Sequence, residues 1–347
     1  MAKTRAGIAL LCLGLSALCA ISLVISLRFG SVSYSTSQVW EVVKAHITGD
    51  SSPDSSVENV VWQLRFPRGL LAAIVGAGLA LAGVMMQTLV RNPLADPYLL
   101  GISSGASVGA TAVITFGALS GFGIYALSAG ALLGAILATT AVYGVTMAQG
   151  GITPLRLILS GVVLSAAFSA IASFLVFRGP DARAAQSVMF WMLGSVSGAQ
   201  WDKLALPLLV VFSTMAIMLA LAAPCDALAT GEDTATSLGL RVNWLRQALF
   251  FMQAALVGVM VAVAGGIGFV GLVVPHIARI IVGSQHTRLI PVAMLCGAVF
   301  LIWVDVVARV AAPPQEVPLG VVTGLVGAPL FLILMGRKNY VFGGQQS

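Results

Sequence analysis

The chain has 347 residues, of which 59% are hydrophobic and 9% are charged, and its mean hydropathy is +1.00. Because soluble globular proteins carry about 25% charged residues, this composition excludes a soluble enzyme, a disordered chain and a nucleic-acid-binding protein. The formal net charge of +6 indicates basic loops beside a membrane in so apolar a chain. Four cysteines without a C-x-x-C spacing predict free thiols, not a disulfide framework.

Stretches without Asp, Glu, Lys or Arg locate the membrane-spanning helices, because a span needs about 20 mostly apolar residues. These stretches are 6–27, 69–90, 97–155, 157–177, 204–225, 247–278, 289–304 and 317–336. Stretch 97–155 must hold two spans and breaks at the glycines of 117–123, and 247–278 predicts a full helix followed by a short or broken one. The sequence therefore predicts an all-α, polytopic membrane protein with about ten transmembrane helices.

The first stretch, 6–27, is longer than the apolar part of a signal peptide, which has about 7–15 residues, and it shows no clear cleavage site. We therefore expect an uncleaved first helix. Ten spans place both termini on one side, which we take as the cytoplasm. This topology leaves nearly as many basic residues outside as inside, so the positive-inside bias is weak.

Small residues four apart predict close packing between helices. They occur at Gly101, Gly105 and Gly109, and again at 117/121, 130/134 and 320/324. Channels and transporters share this feature, so it names no substrate.

Two loops between the predicted spans are long. Segment 29–64 predicts a polar outer loop with a short amphipathic helix around Val39–Ile47. Segment 224–245 predicts a short surface helix at about 231–238. Thr230 followed by Asp233 resembles a capping box, and Gly239 is a plausible C-cap.

Motifs for bond chemistry are missing from the sequence. It has no G-x-x-x-x-G-K-[ST], no H-E-x-x-H and no paired His/Cys set, so we expect no metal or cofactor in this chain. An ion-coupled carrier would need an intramembrane acid. Asp96 lies at a span end, and Asp305 precedes Arg309 by four residues, a spacing at which the two can pair on a helix. A secondary carrier and a membrane-embedded enzyme remain the alternatives from other classes.

Three motif blocks are distinctive. They are Arg65-Phe-Pro-Arg68 with 76–83, Gln87, 91–97 and 100–106; then 266–279; and last 305–309 with 316–329. In this order they closely resemble the permease subunits of the iron-siderophore, haem and cobalamin family of ABC importers, over about 65–336. The resemblance implies that 1–347 is a single transmembrane permease domain in which helices 2–5 and 7–10 form inverted repeats.

The resemblance also implies the partners and the activity. Two ATP-binding cassette subunits would bind ATP and Mg²⁺ and hydrolyse the ATP, so this chain would be no enzyme. A periplasmic or lipid-anchored substrate-binding protein would deliver the cargo to two permease copies, with a homodimer preferred to a heterodimer and no nucleic acid involved. The expected function is alternating-access import of a ferric siderophore or haem across the bacterial inner membrane, with both termini cytoplasmic. Cobalamin is the alternative cargo, and an ion-coupled secondary transporter is the alternative class.

Outward-facing arginines at the start of helix 2 and the end of helix 9 meet acidic residues of the binding protein in this family. The matching residues are Arg65, Arg68 and Arg309. Arg65 and Arg68 are three apart and would share a helix face, with Pro67 in the first helical turn. An arginine fork fits a carboxylate through two bonds. Interfacial snorkelling is the alternative role.

Segment 225–241, with Leu228–Leu240 as its centre, resembles the coupling helix that seats on the ATPase. The predicted coupling residues are Ala229, Gly231, Glu232, Asp233, Ala235, Leu238 and Gly239. Glu232 and Asp233 would face basic residues of the ATPase, while Ala235 and Leu238 would pack against it.

The family lines its pathway with helix 5 and the segment after it, here Leu157–Phe177 and Ser187–Gly198. Met189, Trp191 and Met192 would form a soft, adaptable wall. Arg178 would attract an anionic siderophore or haem propionates at the outer mouth. Ordinary packing and a plain loop charge are the alternatives.

Overall fold

The computed structural model describes residues 4–30, 32–49 and 55–336, and all regular structure in these ranges is helical. The α-helices are Arg5–Ser26 (α1), Thr36–Thr48 (α2), Ser55–Glu58 (α3), Phe66–Val90 (α4), Ile102–Phe116 (α5), Ala126–Ala148 (α6), Pro154–Phe177 (α7), Ala182–Met192 (α8), Ala205–Ala220 (α9), Ala222–Thr230 (α10), Glu232–Ser237 (α11), Val242–Ala264 (α12), Val270–Val282 (α13), His286–Val310 (α14) and Leu319–Gly336 (α15). A π-helical stretch, Asn59–Arg65, joins α3 to α4.

Seven of the described helices are long and apolar enough to cross a membrane. They contain α1, α4, α6, α7, α9, α12 and α14. Shorter apolar helices, α5, α13 and α15, complete a set of ten. The fold therefore confirms the prediction of an all-α, polytopic membrane protein with about ten apolar helices.

The two long charge-free stretches break where the glycines predicted. α5 ends at Gly117, whose φ is +67°, and α6 begins at Ala126. α12 ends at Gly265, whose φ is +68°, and α13 begins five residues later. A Cβ on Gly265 would also collide with the carbonyl oxygen of Trp191, so only glycine fits this break.

The loop prediction for 29–64 is wrong in its second half. α2 confirms the expected amphipathic helix, with a capping box at Ser35. Residues 55–65, however, are helical and lead directly into α4, so the continuous helix has 36 residues. Pro67 occupies the first turn of α4, as predicted, but another helical turn precedes it. Proline has no N–H and its ring clashes with the preceding turn. The π-helical stretch directly before it accommodates this defect.

Glycines with the predicted spacing bring helix backbones into contact. An added Cβ would collide with a facing backbone carbonyl in the pairs Gly76–Gly297 (α4–α14), Gly83–Gly271 (α4–α13), Gly105–Gly134 and Gly109–Gly130 (both α5–α6). Gly117 and Gly121 face nothing within 4 Å and lie at a helix end and in a turn, so their spacing does not mark a packing face.

The buried helix α4 lies at the centre of the bundle and packs on α12, α13 and α14. α12 packs in turn on α6. In the expected inverted repeats, α4–α7 match α12–α15, so α4 corresponds to α12 and α6 corresponds to α14. The contact between α4 and α14 then has its counterpart in the contact between α12 and α6. The bundle has two ends, which we name by residues. The Arg68 face holds Leu27, Arg68, Asp305 and Glu316, and the α11 face holds Thr88, Asp226, α11 and His286.

Candidate docking and coupling sites

An ion cluster on the Arg68 face joins the start of α4 to the end of α14. Arg68 Nη2 lies 2.8 Å from Asp305 Oδ1, and Arg309 Nη2 lies 3.0 Å from Asp305 Oδ2. The second contact confirms the predicted pairing four residues apart. Arg68 also donates two hydrogen bonds of 2.8 Å to the carboxylate of Glu316, whose side chain is 44% exposed. The cluster thus has a buried centre at Asp305 and an exposed edge at Glu316.

The other two predicted docking arginines bind the segment after α1. Arg65 is buried and donates to the carbonyl oxygens of Leu27 (2.8 Å) and Val32 (2.5 Å). Arg309 is buried and donates to Phe29 O at 2.8 Å. Docking by these arginines stays a prediction, and the structure gives both side chains a role within the chain itself.

The predicted surface helix is present on the α11 face as two short helices, α10 and α11, separated by Gly231. The φ of +143° at Gly231 favours glycine. The capping-box prediction is wrong: Gly231 is the N-cap without a side-chain bond, and Thr230 Oγ1 donates to Ala227 O at 2.7 Å. Thr230 belongs to the last turn of α10, so its hydroxyl bonds backwards. Gly239 ends α11 with a φ of +79°, as predicted.

The coupling residues divide into exposed and internally bound side chains. Leu238 is 66% exposed, and Ala229 and Asp233 are also exposed. Ala235 is fully buried, so the prediction that it packs against a partner is wrong. Glu232 receives hydrogen bonds of 2.6 and 3.2 Å from Arg246 of α12, and this bond lowers the pKa of Glu232. The basic partner of Glu232 is therefore a residue of its own chain.

A buried hydrogen-bonded chain that the sequence did not reveal connects α10 to the bundle. His286 is 2% exposed, and its Nδ1 lies 2.6 Å from Asp226 Oδ1 of α10. Its Nε2 lies 2.7 Å from Thr88 Oγ1 of α4, and its backbone N–H donates to Asp226 at 2.9 Å. Burial would raise the pKa of Asp226, but the bonds from His286 outweigh it and lower that pKa.

One sequence signal could have found this chain of bonds. Asp226 follows the sixth predicted span and His286 precedes the ninth, so the count of spans places both on the same side of the membrane. The three histidines instead looked scattered, because their neighbours in space come from distant segments.

The first two motif blocks contact each other. Arg279 donates to Gln87 Oε1 at 3.1 Å, and the backbone N–H of Ile267 donates to Tyr98 Oη at 3.1 Å. A Cβ on Gly271 would contact the ring of Pro97 at 2.7 Å. The residues that carry the resemblance thus hold the two halves of the chain together.

A cavity of about 400 Å³ opens beside the segment after α8. It is lined by Phe190, Trp191, Gly194, Ser195, Ser197 and 315–318. Trp191 of the predicted pathway residues lies in this lining, whereas Met189, Met192 and Arg178 are exposed and lie outside it. Backbone bonds from Leu319 to Gly194 O (2.9 Å) and from Gly320 to Leu193 O (2.8 Å) fix one wall. The pathway assignment stays a prediction.

The described residues contain no group of three or more His, Cys, Asp or Glu side chains that could hold a metal ion. With ten apolar helices, two polar faces and a surface helix pair, the described part of the chain has the architecture of a polytopic membrane protein.

Comparisons with known proteins define the family. The model of the FecCD transport family matches residues 18–337. The chain is 37% identical to the molybdate import system permease protein of Haemophilus influenzae (93% of this chain, 94% of the relative). It is 40% identical to the cobalamin import system permease protein of Halobacterium salinarum (81% and 74%) and 36% identical to the hemin transport system permease protein of Yersinia pestis (90% and 91%).

A solved structure described as an inward-facing ABC transporter of the metal-chelate type has a TM-score of 0.82. It is 35% identical, and the match covers 94% of this chain and 98% of that one. The chain therefore belongs to the FecCD transport family. It is the permease subunit of an ABC importer and a multi-pass membrane protein. The alternative of an ion-coupled secondary transporter is therefore wrong.

Proposed function

We propose that two copies of this chain form a homodimeric pathway in the bacterial inner membrane and import their cargo by alternating access. The α11 face and both termini lie in the cytoplasm, where two ATP-binding cassette subunits bind and hydrolyse ATP with Mg²⁺. The chain itself holds no cofactor. The observation that carries this proposal is the α10–α11 pair, a short helical element that the chain anchors through Asp226 in α10 and Glu232 in α11 and leaves exposed at Leu238.

Two anchors make the α10–α11 pair suitable for receiving a force. Arg246 binds Glu232 at the start of α11, and His286 binds Asp226 in α10. After these anchors along the chain, Leu238 and Trp244 are 66% and 56% exposed. A rigid helix held in this way moves with the bundle as one body when a docked ATPase changes shape. A cleft of about 880 Å³ lined by Arg91, Asp226 and Ala229 lies next to it.

The Arg68 face is the proposed docking surface for a substrate-binding protein. Glu316 forms the exposed edge of the ion cluster, and the side chain of Arg68 beneath it is 11% exposed. An acidic side chain of the binding protein would bind Arg68 by replacing Glu316 as the partner of its guanidinium group. Arg65 and Arg309 support this surface by holding the segment after α1. The Arg68→Glu variant, assembled with its ATPase subunits, should bind the binding protein at least about tenfold more weakly. Lys44→Glu, an exposed charge reversal on α2, is the control. Equal affinities of both variants would remove this role.

The proposed cargo is a ferric siderophore, with haem and then cobalamin as alternatives. Support comes from the relatives, which include permeases named for iron(3+)-hydroxamate, hemin and cobalamin, and from the mixed aromatic and polar lining of the cavity beside Trp191. Molybdate is a further candidate cargo, because one of the relatives is a molybdate permease.

The importer reconstituted in liposomes with its ATPase subunits and binding protein should accumulate one of four cargoes on addition of ATP. A ferric hydroxamate, haemin, cobalamin and molybdate are tested in parallel. Accumulation of molybdate alone would contradict the siderophore proposal. Accumulation driven by an ion gradient without the ATPase subunits would contradict the ATP-driven mechanism.

A further inference from the structure

Helices α4 and α14 are joined side by side at three levels. On the Arg68 face, Arg68 of α4 pairs with Asp305 of α14 at 2.8 Å. Further along, Gly76 and Gly297 let the two backbones touch. On the α11 face, Thr88 of α4 bonds His286 of α14 at 2.7 Å. Contacts at both ends and between them make the helix pair one stiff body, which we call the strut.

The strut reaches from one face of the bundle to the other. Twenty residues separate Arg68 from Thr88, and at about 1.5 Å of rise per residue they lie about 30 Å apart along α4. Packed helices have low compressibility. A displacement of the Thr88 end therefore moves the ion cluster at the other end by a similar amount.

His286 connects the strut to the coupling element. Its Nδ1 and its backbone N–H both bond Asp226 of α10, at 2.6 and 2.9 Å, while its Nε2 bonds Thr88. The Thr88 hydroxyl also donates to Val84 O at 2.8 Å. The ring of His286 thus belongs to α14 and forms hydrogen bonds with both α10 and α4. The residue is 2% exposed. If α10 moved away from His286, the buried ring Nδ1 and the backbone N–H of His286 would lose their shared partner Asp226, which is unfavourable.

The second anchor of the coupling element leads to a different helix. Glu232 of α11 bonds Arg246 of α12, and α12 packs on α6. The two anchors therefore deliver motion to different parts of the bundle: the Glu232 anchor to α12, and the Asp226 anchor to the strut.

From this geometry we infer that Asp226 and His286 are positioning residues that make the strut follow α10, so that the nucleotide state of the ATPase subunits changes the arrangement of the Arg68 face. This inference rests on the proposed ATPase docking at α10–α11. Coupling between two sites requires an element whose position both sites influence, and the strut has one end in each site.

A distance measurement across the dimer tests the inference. Val310, at the end of α14 on the Arg68 face, is replaced by a spin-labelled cysteine after Cys12, Cys19, Cys225 and Cys296 are changed to alanine. Two copies of the chain are assembled with the ATPase subunits, and pulsed electron paramagnetic resonance measures the label-to-label distance with and without ATP and vanadate. The unmodified strut should show a shift of this distance on trapping.

Asp226→Ala removes the acceptor of both bonds that join His286 to α10. We expect it to retain ATP hydrolysis and trapped ADP but to show less than about half of the distance shift, with His286→Gln similar and the double variant no worse, because the two residues act as one unit. Thr88→Val is the control: it removes another partner of the same ring, but the bonds from His286 to Asp226 and the ion pair between α4 and α14 remain, so it should show the full shift.

A full distance shift in Asp226→Ala would overturn the inference even if His286→Gln failed to fold. A shift that is absent from the parent protein despite trapped ADP would overturn it as well, without affecting ATPase docking. If the ATPase subunits instead failed to assemble with the parent chain, the proposed function itself would be wrong.

Discussion

Arg68 and Asp305 form an ion pair of 2.8 Å between α4 and α14, and the side chain of Asp305 is 1% exposed. Arg309 approaches the same carboxylate from the other side at 3.0 Å. Asp305 is therefore the counter-ion of two largely buried guanidinium groups, and the stability of this end of the bundle depends on its charge.

The Asp305→Asn variant should be destabilised by about 3 kcal/mol, because removing one partner leaves buried charges without compensation. Thermal unfolding in detergent measures the effect. Glu316→Gln is the control: its side chain is exposed, so its loss should change stability by no more than about 1 kcal/mol. If both variants lost the same stability, the burial of Asp305 would not determine the free-energy cost of removing its charge.

The number of apolar helices and the breaks between them could be predicted from the sequence, because charged residues mark the ends of apolar stretches and glycines mark the ends of helices. The ion pair between Asp305 and Arg309 could also be predicted, because both residues lie in the same helix four positions apart. Arg65 shows what local patterns miss. Its position suggested an outward docking residue, but Leu27 and Val32, more than thirty residues earlier in the chain, take its donors. The bonds of His286 depend in the same way on where distant helix ends meet.

The backbone contact between Gly83 and Gly271 predicts a penalty for any larger side chain. A Cβ on Gly83 would collide with the carbonyl of Gly271, so Gly83→Ala must force α4 and α13 apart. We expect a loss of about 1 to 3 kcal/mol in stability, read from the unfolding midpoint in detergent. Gly144→Ala adds the same methyl group within α6, where nothing lies within 4 Å, and should be neutral or stabilising by up to about 1 kcal/mol.

The bond between Asp226 and His286 predicts a defined pH dependence. The folded pKa of Asp226 is lowered below 3.8, so its contribution to stability is present above that value and is lost as the pH falls through the folded pKa. Asp226→Asn should therefore be less stable than the parent chain by about 1 kcal/mol at neutral pH. The gap between the two unfolding midpoints should close on acidification, and a gap that widened instead would contradict the assignment.

The exposed side chain of Leu238 predicts the strength of ATPase association. A leucine that becomes buried on docking contributes about 1.5 to 3 kcal/mol, and a carboxylate in its place would have to be desolvated. Leu238→Glu should therefore bind the purified ATPase subunit at least about tenfold more weakly, measured by titration in detergent. Ile47→Glu makes the same kind of change at a 75% exposed residue of α2, which lies outside the α10–α11 element, and should leave the affinity unchanged. If both variants bound like the parent chain, Leu238 would not lie in the interface, and the docking surface would have to be sought in the cleft lined by Arg91 and Ala229.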